Sequence, residues 1–235
     1  MATKLKLMQH IQITGTLRCK TGTRIGGSKE DLEIGGLDNP IIRDPVDRTP
    51  YIPGSSLKGK LRSLLEYKYD RVGWRRDRGN PLQDRGNGEP CGCAQDLTKC
   101  PVCTIFGPHK VSRHELGPSR IIVRDAILTE ESKKTLAKLI EEGLHYSEVK
   151  TENMINRKTG VAENPRPIER VPKGTEFHLN ISLRVFEGDD KEKMIGYIKE
   201  ALGMLQMDYL GGSGTRGYGW VEIKDLKIND GKPAA

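Results

Sequence analysis

The chain has 235 residues, with 39 Lys and Arg against 32 Asp and Glu and a formal net charge of +7. No apolar run approaches the ~20 residues needed to span a bilayer, and the opening "MATKLKLMQH" lacks the apolar core of a signal peptide, so a membrane span and secretion are excluded and a cytoplasmic protein is expected. The basic excess favours a polyanionic partner, nucleic acid first, over the alternative of a Lys- and Glu-rich surface that is merely solvated, while an aromatic content of 5% argues for contacts to a phosphate backbone rather than stacking of bases.

The segment Leu5 to Cys19 alternates apolar and polar residues, with Leu7, Ile11, Ile13 and Leu17 on one face, and reads as a first strand. Lys20 to Gly54 is rich in glycine and proline, the signature of a long loop, and loops of that length in a folded domain are usually functional or disordered. Ser55 or Ser56 then supplies an N-cap, and Leu57, Leu61, Leu64 and Leu65 mark one face of a helix running to about Tyr69. Arg71 to Pro118 is charged, glycine-rich and without period, and reads as an insertion.

Arg120 to Leu128 reads as a second strand, and Glu131 to Gly143 as a helix ending at its glycine. Ser147 to Pro172 is polar, with a turn at Lys158, Thr159 and Gly160, and reads as a projecting hairpin arm. Thr175 to Phe186 alternates as a third strand. A helix follows, with Met194, Ile198, Leu202 and Leu205 on one face, and Tyr218 to Ile228 closes the chain as a fourth strand. With the insertions set aside the order is β-α-β-β-α-β, which predicts an α+β, ferredoxin-like (RRM-like) core in one domain spanning the chain.

Two glycine patterns imitate nucleotide sites. Gly54, Gly59 and Lys60 have the spacing of a phosphate loop, but Leu61 stands where a Ser or Thr must hold Mg²⁺, and no apolar strand leads in. Gly212 to Gly217 fits the dinucleotide fingerprint, yet a helix precedes it and a strand follows, the reverse of the required context. What both stretches retain is the chemistry of backbone phosphate binding. Ser55, Ser56, Lys58, Lys60 and Arg62 surround a helix N-terminus with free N–H groups, and Gly212, Gly214 and Arg216 form a loop that lets a polynucleotide approach the main chain.

Cys91, Cys93, Cys100 and Cys103 form C-x-C-x₆-C-x₂-C, a set that suits one tetrahedral Zn²⁺ with no open position, hence a structural site stapling the insertion. The tight Cys91-Gly92-Cys93 spacing leaves room for His109 or His114 to replace one sulfur. Cys19, at a strand end, reads as a packing residue.

"TGTRIGGS", "GGLDNPIIRDP" and "PYIPGSSLKGKLRSLLE", the cluster ending "CPVCTIFG" and the closing "GGSGTRGYGWVEI" together resemble the RAMP-superfamily backbone subunit of type III-A CRISPR (Csm) effector complexes, in order and over nearly the whole chain. The resemblance implies a subunit that polymerises along guide RNA with copies of itself and other subunits of the complex. It also implies cleavage of paired target RNA at regular intervals with a loop aspartate and Mg²⁺ or another divalent cation. By position the catalytic aspartate falls on Asp38 in "GGLDNP", and the arm becomes a thumb-like hairpin that inserts between nucleotides and contacts the neighbouring subunit. Asp44 and Asp47 compete for the role, but their Pro-rich setting suits turn formation. Arg24 occupies a position where some relatives carry histidine, so a histidine acid or base is excluded there and Arg24 is expected to neutralise phosphate. Two other functions stay open at this stage: an RNA-binding architectural subunit without cleavage, and a zinc-stapled protein-interaction module.

Overall fold

Strand β1, Leu7–Cys19, carries the architecture because it is paired along both edges. In a computed structural model, residues 5–26, 40–75, 83–84, 88–141 and 146–233 are described; Asp38 and the expected helix end at Gly143 lie outside them. β7, Glu176–Phe186, runs antiparallel on one side of β1 and sets Leu183, Ile181 and Phe177 opposite Ile11, Ile13 and Leu17. All six are buried, so the alternating pattern read from the sequence becomes the inner face of a sheet.

On the other side β1 pairs with β8, Val221–Pro233, with a register shift between Thr14 and Thr16. A Cβ on Gly15, at that shift, would stand 2.9 Å from the Lys224 carbonyl oxygen. The short β4, Ile121–Val123, completes the sheet beyond β7, giving the antiparallel order β4-β7-β1-β8. The class is α+β.

Two helices cover the apolar face. α1, Gly54–Lys68, buries Leu57, Leu61, Leu64 and Leu65, and α4, Lys191–Met207, buries Met194, Ile198, Leu202 and Leu205, the residues that the sequence period marks. Asp190 caps α4 by accepting the Lys193 N–H at 3.0 Å. Across the two helices Tyr69 meets Tyr197 edge to face at 5.5 Å and donates its hydroxyl to Glu200 at 2.6 Å.

The start of α1 differs from the sequence expectation. Neither Ser55 nor Ser56 is the N-cap; the helix begins at Gly54 after Pro53, which offers no side-chain acceptor. The cap comes from a distant residue, Asp125, whose carboxylate accepts the Gly54 N–H at 2.7 Å. Proline fixes the entry angle, and a carboxylate at the helix N-terminus is favoured by the dipole, so no local serine is required.

Two further helices and two hairpins hang on this frame. α2, Pro101–Phe106, inserts Val102, Ile105 and Phe106 into the same core as α1. α3, Glu130–Glu141, packs Leu136 against it. β2, Trp74–Arg75, pairs with β3, Gln83–Asp84. β5, Glu148–Ile155, and β6, Ala162–Arg170, form a separate two-stranded hairpin whose Met154, Ile155 and Val161 are exposed, whereas Ile168 and Glu169 at its base are buried. At its tip Asn156 accepts the Lys158 N–H at 2.9 Å, and Gly160 turns the chain with φ 73°.

The return from the cysteine segment into the sheet is fixed by Arg120. Its guanidinium bonds both oxygens of Asp189, at 2.8 and 2.9 Å, and the carbonyls of Leu116 and Pro118, at 2.7 and 2.6 Å. Arg120 is nearly fully buried, and this bidentate pairing offsets the cost of taking its charge out of water.

Gly54 is the tightest joint between helix and sheet, since a Cβ there would lie 2.3 Å from the Val123 carbonyl oxygen. Gly54→Ala should therefore lower stability by about 1–3 kcal/mol, the usual cost of overpacking. Chemical denaturation should show an earlier midpoint with an unchanged slope, and an unchanged midpoint would mean that β4 yields freely.

Candidate nucleic-acid interface and metal centre

One groove joins the two glycine-rich stretches. It is walled by Ser56, Gly59, Lys60 and Ser63 of α1 on one side and by Asp208 to Gly212 on the other, with Ile25 and Gly26 between them. The sheet order explains the meeting, because β1 feeds the 20–26 segment and β8 leaves the glycine loop on adjacent strands. Of the residues expected to hold phosphate, Ser56, Lys60 and Gly212 line this groove, and Ser55 stands exposed at the helix start.

The basic residues around α1 face different ways. Lys60 pairs with Asp208 at 3.2 Å and lies 3.9 Å from the centre of the Tyr209 ring. That ring leaves no room for a Cβ on Gly214, which would approach it to 1.9 Å. Gly214 is thus explained by Tyr209 packing rather than by an open approach to the main chain. Arg62 turns the other way, donating to Glu66 at 2.8 Å and to the Cys91 carbonyl at 2.7 Å. Lys58 is half-buried; burial lowers its pKa first, and the neighbouring charges of Arg62 and Arg184 lower it further.

The glycine loop is pressed against the segment that follows β1. The Gly212 N–H donates to the Arg24 carbonyl at 2.8 Å, and the Gly219 N–H to the Gly22 carbonyl at 3.0 Å. Gly211 and Gly219 have φ of 87° and 71°, and a Cβ on either would lie 2.1 Å from a carbonyl oxygen. Only glycine fits both demands. The Arg24 guanidinium lies beside Gly26 and Gly212, at 4.0 Å from where a Cβ would stand on each.

Arg216 ends a single 3-10 turn, Gly214–Arg216, and reaches across to the hairpin, donating to Glu152 at 2.6 Å and to Ser213 at 2.8 Å. Beneath it Tyr218 is buried, with Lys150 and Arg170 at 4.8 and 4.9 Å from its ring. Burial raises the Tyr218 pKa, and the neighbouring Glu152 raises it further. Asp208, Tyr209, Tyr218 and Glu152 were not singled out by sequence reasoning. The nearest signal was "DYLGG", where the acid and ring directly precede the glycines.

Asp44 and Asp47 both build a turn. Asp44 accepts the Val46 N–H at 2.8 Å, and Asp47 accepts the N–H and hydroxyl of Thr49 at 3.0 and 2.6 Å. The second oxygen of Asp47 pairs with Lys133 at 2.7 Å.

The four cysteines form a buried cluster whose sulfurs all lie within 4.8 Å of one another. Cys91 stands 3.9 Å from Cys100 and 3.6 Å from Cys103, and Cys93 stands 3.6 Å from Cys103. Sulfurs held about 2.3 Å from one tetrahedral ion are separated by about 3.8 Å, so the donor set fits a single metal ion. Neither His109 nor His114 belongs to the group. Helix α1 holds this centre in place: Glu66 accepts the Cys91 N–H at 2.8 Å while Arg62 takes the Cys91 carbonyl. Cys100 also caps α2, accepting the Cys103 N–H. Cys19 lies apart in the core, where burial lifts its pKa to about 11, the behaviour of a packing residue.

The model of the RAMP superfamily matches residues 16–222. The chain is 45% identical to the "CRISPR system Cms endoribonuclease Csm3" of Methanothermobacter thermautotrophicus, over 96% of this chain and 88% of that one. Among solved structures it is similar to a chain of the Csm3-Csm4 subcomplex in the type III-A CRISPR-Cas interference complex, with a TM-score of 0.59 and 30% identity over 97% of this chain and 82% of that chain. The crystal structure of Methanopyrus kandleri Csm3 gives a TM-score of 0.57 and 26% identity, covering 95% of this chain and 78% of that one.

The Asp47 carboxyl is lowered from 3.8 to about 2, first by its bond to Lys133 and then by those to Thr49. A carboxyl depressed on folding stabilises the fold above its unfolded pKa, and that contribution is lost as pH falls through the folded value. The window is therefore about pH 4 down to 2. In Lys133→Met the Asp47 pKa, followed by NMR titration, should rise part of the way toward 3.8, since the two Thr49 bonds remain. A pKa unmoved by that substitution would mean that the turn hydrogen bonds alone set it.

Proposed function

Because this chain belongs to the RAMP superfamily, and within it to the Csm3 endoribonucleases, we propose that the groove between α1 and the glycine loop grips an RNA backbone and that Asp38 serves the cleavage of the target strand. The protein is a backbone subunit of a type III CRISPR effector complex that cleaves target RNA, with RNA and the other subunits of the complex as its partners. The observation that carries the site assignment is adjacency. Gly26, on the groove, bridges Ile41, and Asp38 lies three residues before Ile41 in the chain.

Each chemical role follows from residue type. Ser55 and Ser56 offer hydroxyls to a phosphate beside the start of α1, whose Gly54 N–H is already held by Asp125, Lys60 supplies a cation, and Gly212 allows close approach. Burial first, and then the charges of Arg62 and Arg184, lower the Lys58 pKa, and a phosphate beside it offsets both. Arg24 adds a cation beside Gly26 and Gly212, and Arg216 presents one where the glycine loop meets the hairpin at Glu152. Asp38 either accepts the proton of the 2′-hydroxyl beside the scissile phosphate or holds the divalent cation. A divalent cation such as Mg²⁺ supplies charge neutralisation at that phosphate when bound.

We read the cysteine cluster as a structural Zn²⁺ site stapling residues 71–118 onto α1, the β4-β7-β1-β8 sheet as a ferredoxin-like core, and 147–172 as the thumb-like arm. Among the described residues no helix is long and apolar enough to cross a membrane, and we read the protein as cytoplasmic because an RNA-guided effector works where its RNA is.

Asp38→Ala should abolish target cleavage, by roughly 10²- to 10⁴-fold in rate, while leaving guide and target binding intact, because a carboxylate attracts no polyanion. The check is cleavage of labelled target RNA by the reconstituted complex with Mg²⁺, beside filter binding on the same samples. Equal loss of both would make Asp38 a residue that shapes its loop.

Metal analysis of protein purified without chelator should find about one Zn per chain. Cys100→Ser should loosen residues 88–118 and leave the sheet protected in hydrogen exchange. A zinc-free chain with the same protection pattern would remove the metal from this account.

A further inference from the structure

Glu169, near the end of β6, is 5% exposed. A carboxylate that deep is costly unless each oxygen is satisfied. Oε2 accepts the Ile41 N–H at 2.7 Å, and Oε1 accepts from the Arg43 guanidinium and the Ser147 hydroxyl. Arg43 also donates to Ser147 at 3.0 Å, closing a small network. Burial alone raises the Glu169 pKa, but Ser147, the Ile41 N–H and Arg43 together overcome it and hold the carboxyl below its usual value.

The partners of this carboxylate belong to three places. Ser147 precedes β5, Glu169 closes β6, and Ile41 and Arg43 lie on the exit of the loop that carries Asp38. The entrance of that loop is held beside it: Gly26 bridges Ile41, the Ile42 N–H donates to the Ile25 carbonyl at 2.9 Å, and Thr23 bridges Val171, two residues after Glu169. Asp38 stands three residues before Ile41 in the chain.

We infer that Glu169 is a positioning residue for RNA cleavage: it locks the exit of the Asp38 loop to the base of the β5–β6 hairpin, so that the hairpin's seating on RNA fixes where Asp38 meets the scissile phosphate. The inference rests on Asp38 being the catalytic residue. Glu169 touches no RNA in this role. Its effect falls on the rate of cutting and leaves affinity unchanged, because misplacement of a reacting group by about 1 Å costs on the order of 10²-fold.

The test uses the reconstituted complex with guide RNA. Glu169→Gln keeps the shape, but the amide nitrogen must face either the Ile41 N–H or the Arg43 and Ser147 donors, so one side of the network opens. Single-turnover cleavage should fall about 10- to 100-fold, with the half-saturating concentration of target RNA held within about twofold. In the Asp38→Ala background the same change should cost nothing further, since both act on one step. Ser147→Ala, which removes one hydroxyl and keeps the charge pair, should slow cutting by about threefold or more with binding again unchanged.

Wild-type cutting by Glu169→Gln beside an inactive Asp38→Ala overturns the positioning role and leaves the catalytic assignment standing. Normal cutting by Asp38→Ala overturns the catalytic assignment itself. Should Glu169→Gln fail to assemble, Ser147→Ala decides: a wild-type rate overturns the inference, and a slowed rate at unchanged affinity supports it.

Discussion

The groove, the hairpin base and the Ile41–Ile42 segment converge on five residues, Gly22 to Gly26, used as a shared rail of main-chain hydrogen bonds. The Gly22 and Arg24 carbonyls take the glycine loop, Thr23 bridges the end of the hairpin at Val171, and Ile25 and Gly26 hold Ile42 and Ile41. Backbone-to-backbone contact this close admits no side chain on the opposing loop, which is why Gly211 stands against the Arg24 carbonyl, while Gly219 is required by the Leu210 carbonyl within its own loop. Groove, arm and the described residues on either side of the 27–39 segment are neighbours of one rail, and their relative placement is set by hydrogen bonds rather than by packing of large side chains.

The cations of the site are largely spoken for. Lys60 is tied to Asp208 and Tyr209, Arg62 to Glu66 and the Cys91 carbonyl, and Arg216 to Glu152. An unpaired lysine on a flexible stem loses several rotors when it meets a phosphate, whereas one already held has lost them on folding. The net charge of +7 draws a polyanion in, but recognition rests on preorganised groups. Lys58 is the exception. Its half-buried position beside two guanidinium-bearing residues leaves electrostatic strain that an anion relieves.

Much of the frame was legible in the sequence, because β1, β7, α1 and α4 each carry an apolar period that depends on nothing distant. Cys91, Cys93, Cys100 and Cys103 were legible too, since spacing alone puts their thiols within reach of one ion. Long-range satisfaction of polar groups was not. Asp125 caps a helix 71 residues upstream, and Glu169 binds an N–H 128 residues upstream. Such pairs leave no periodic trace; Glu169 looked like one more charge in a polar arm. Gly214 was legible as a residue that must be small but not why, because the ring it accommodates, Tyr209, comes from the end of the preceding helix.

Helix α1 is a common wall with the proposed RNA groove on one side and the cysteine cluster on the other, and this limits how the protein can be trimmed. Excising residues 88–118 to make a minimal subunit would take away the Cys91 N–H and carbonyl that Glu66 and Arg62 hold. Glu66 is 4% exposed, so a shortened chain would bury a carboxylate with one donor gone and a guanidinium with a carbonyl gone. Disrupting a buried charge network costs on the order of 3–5 kcal/mol, a large part of a domain's stability. A viable miniature would have to replace both polar groups of α1 with apolar ones of similar volume, so that removing the cysteine cluster becomes a redesign of the helix that walls the proposed groove.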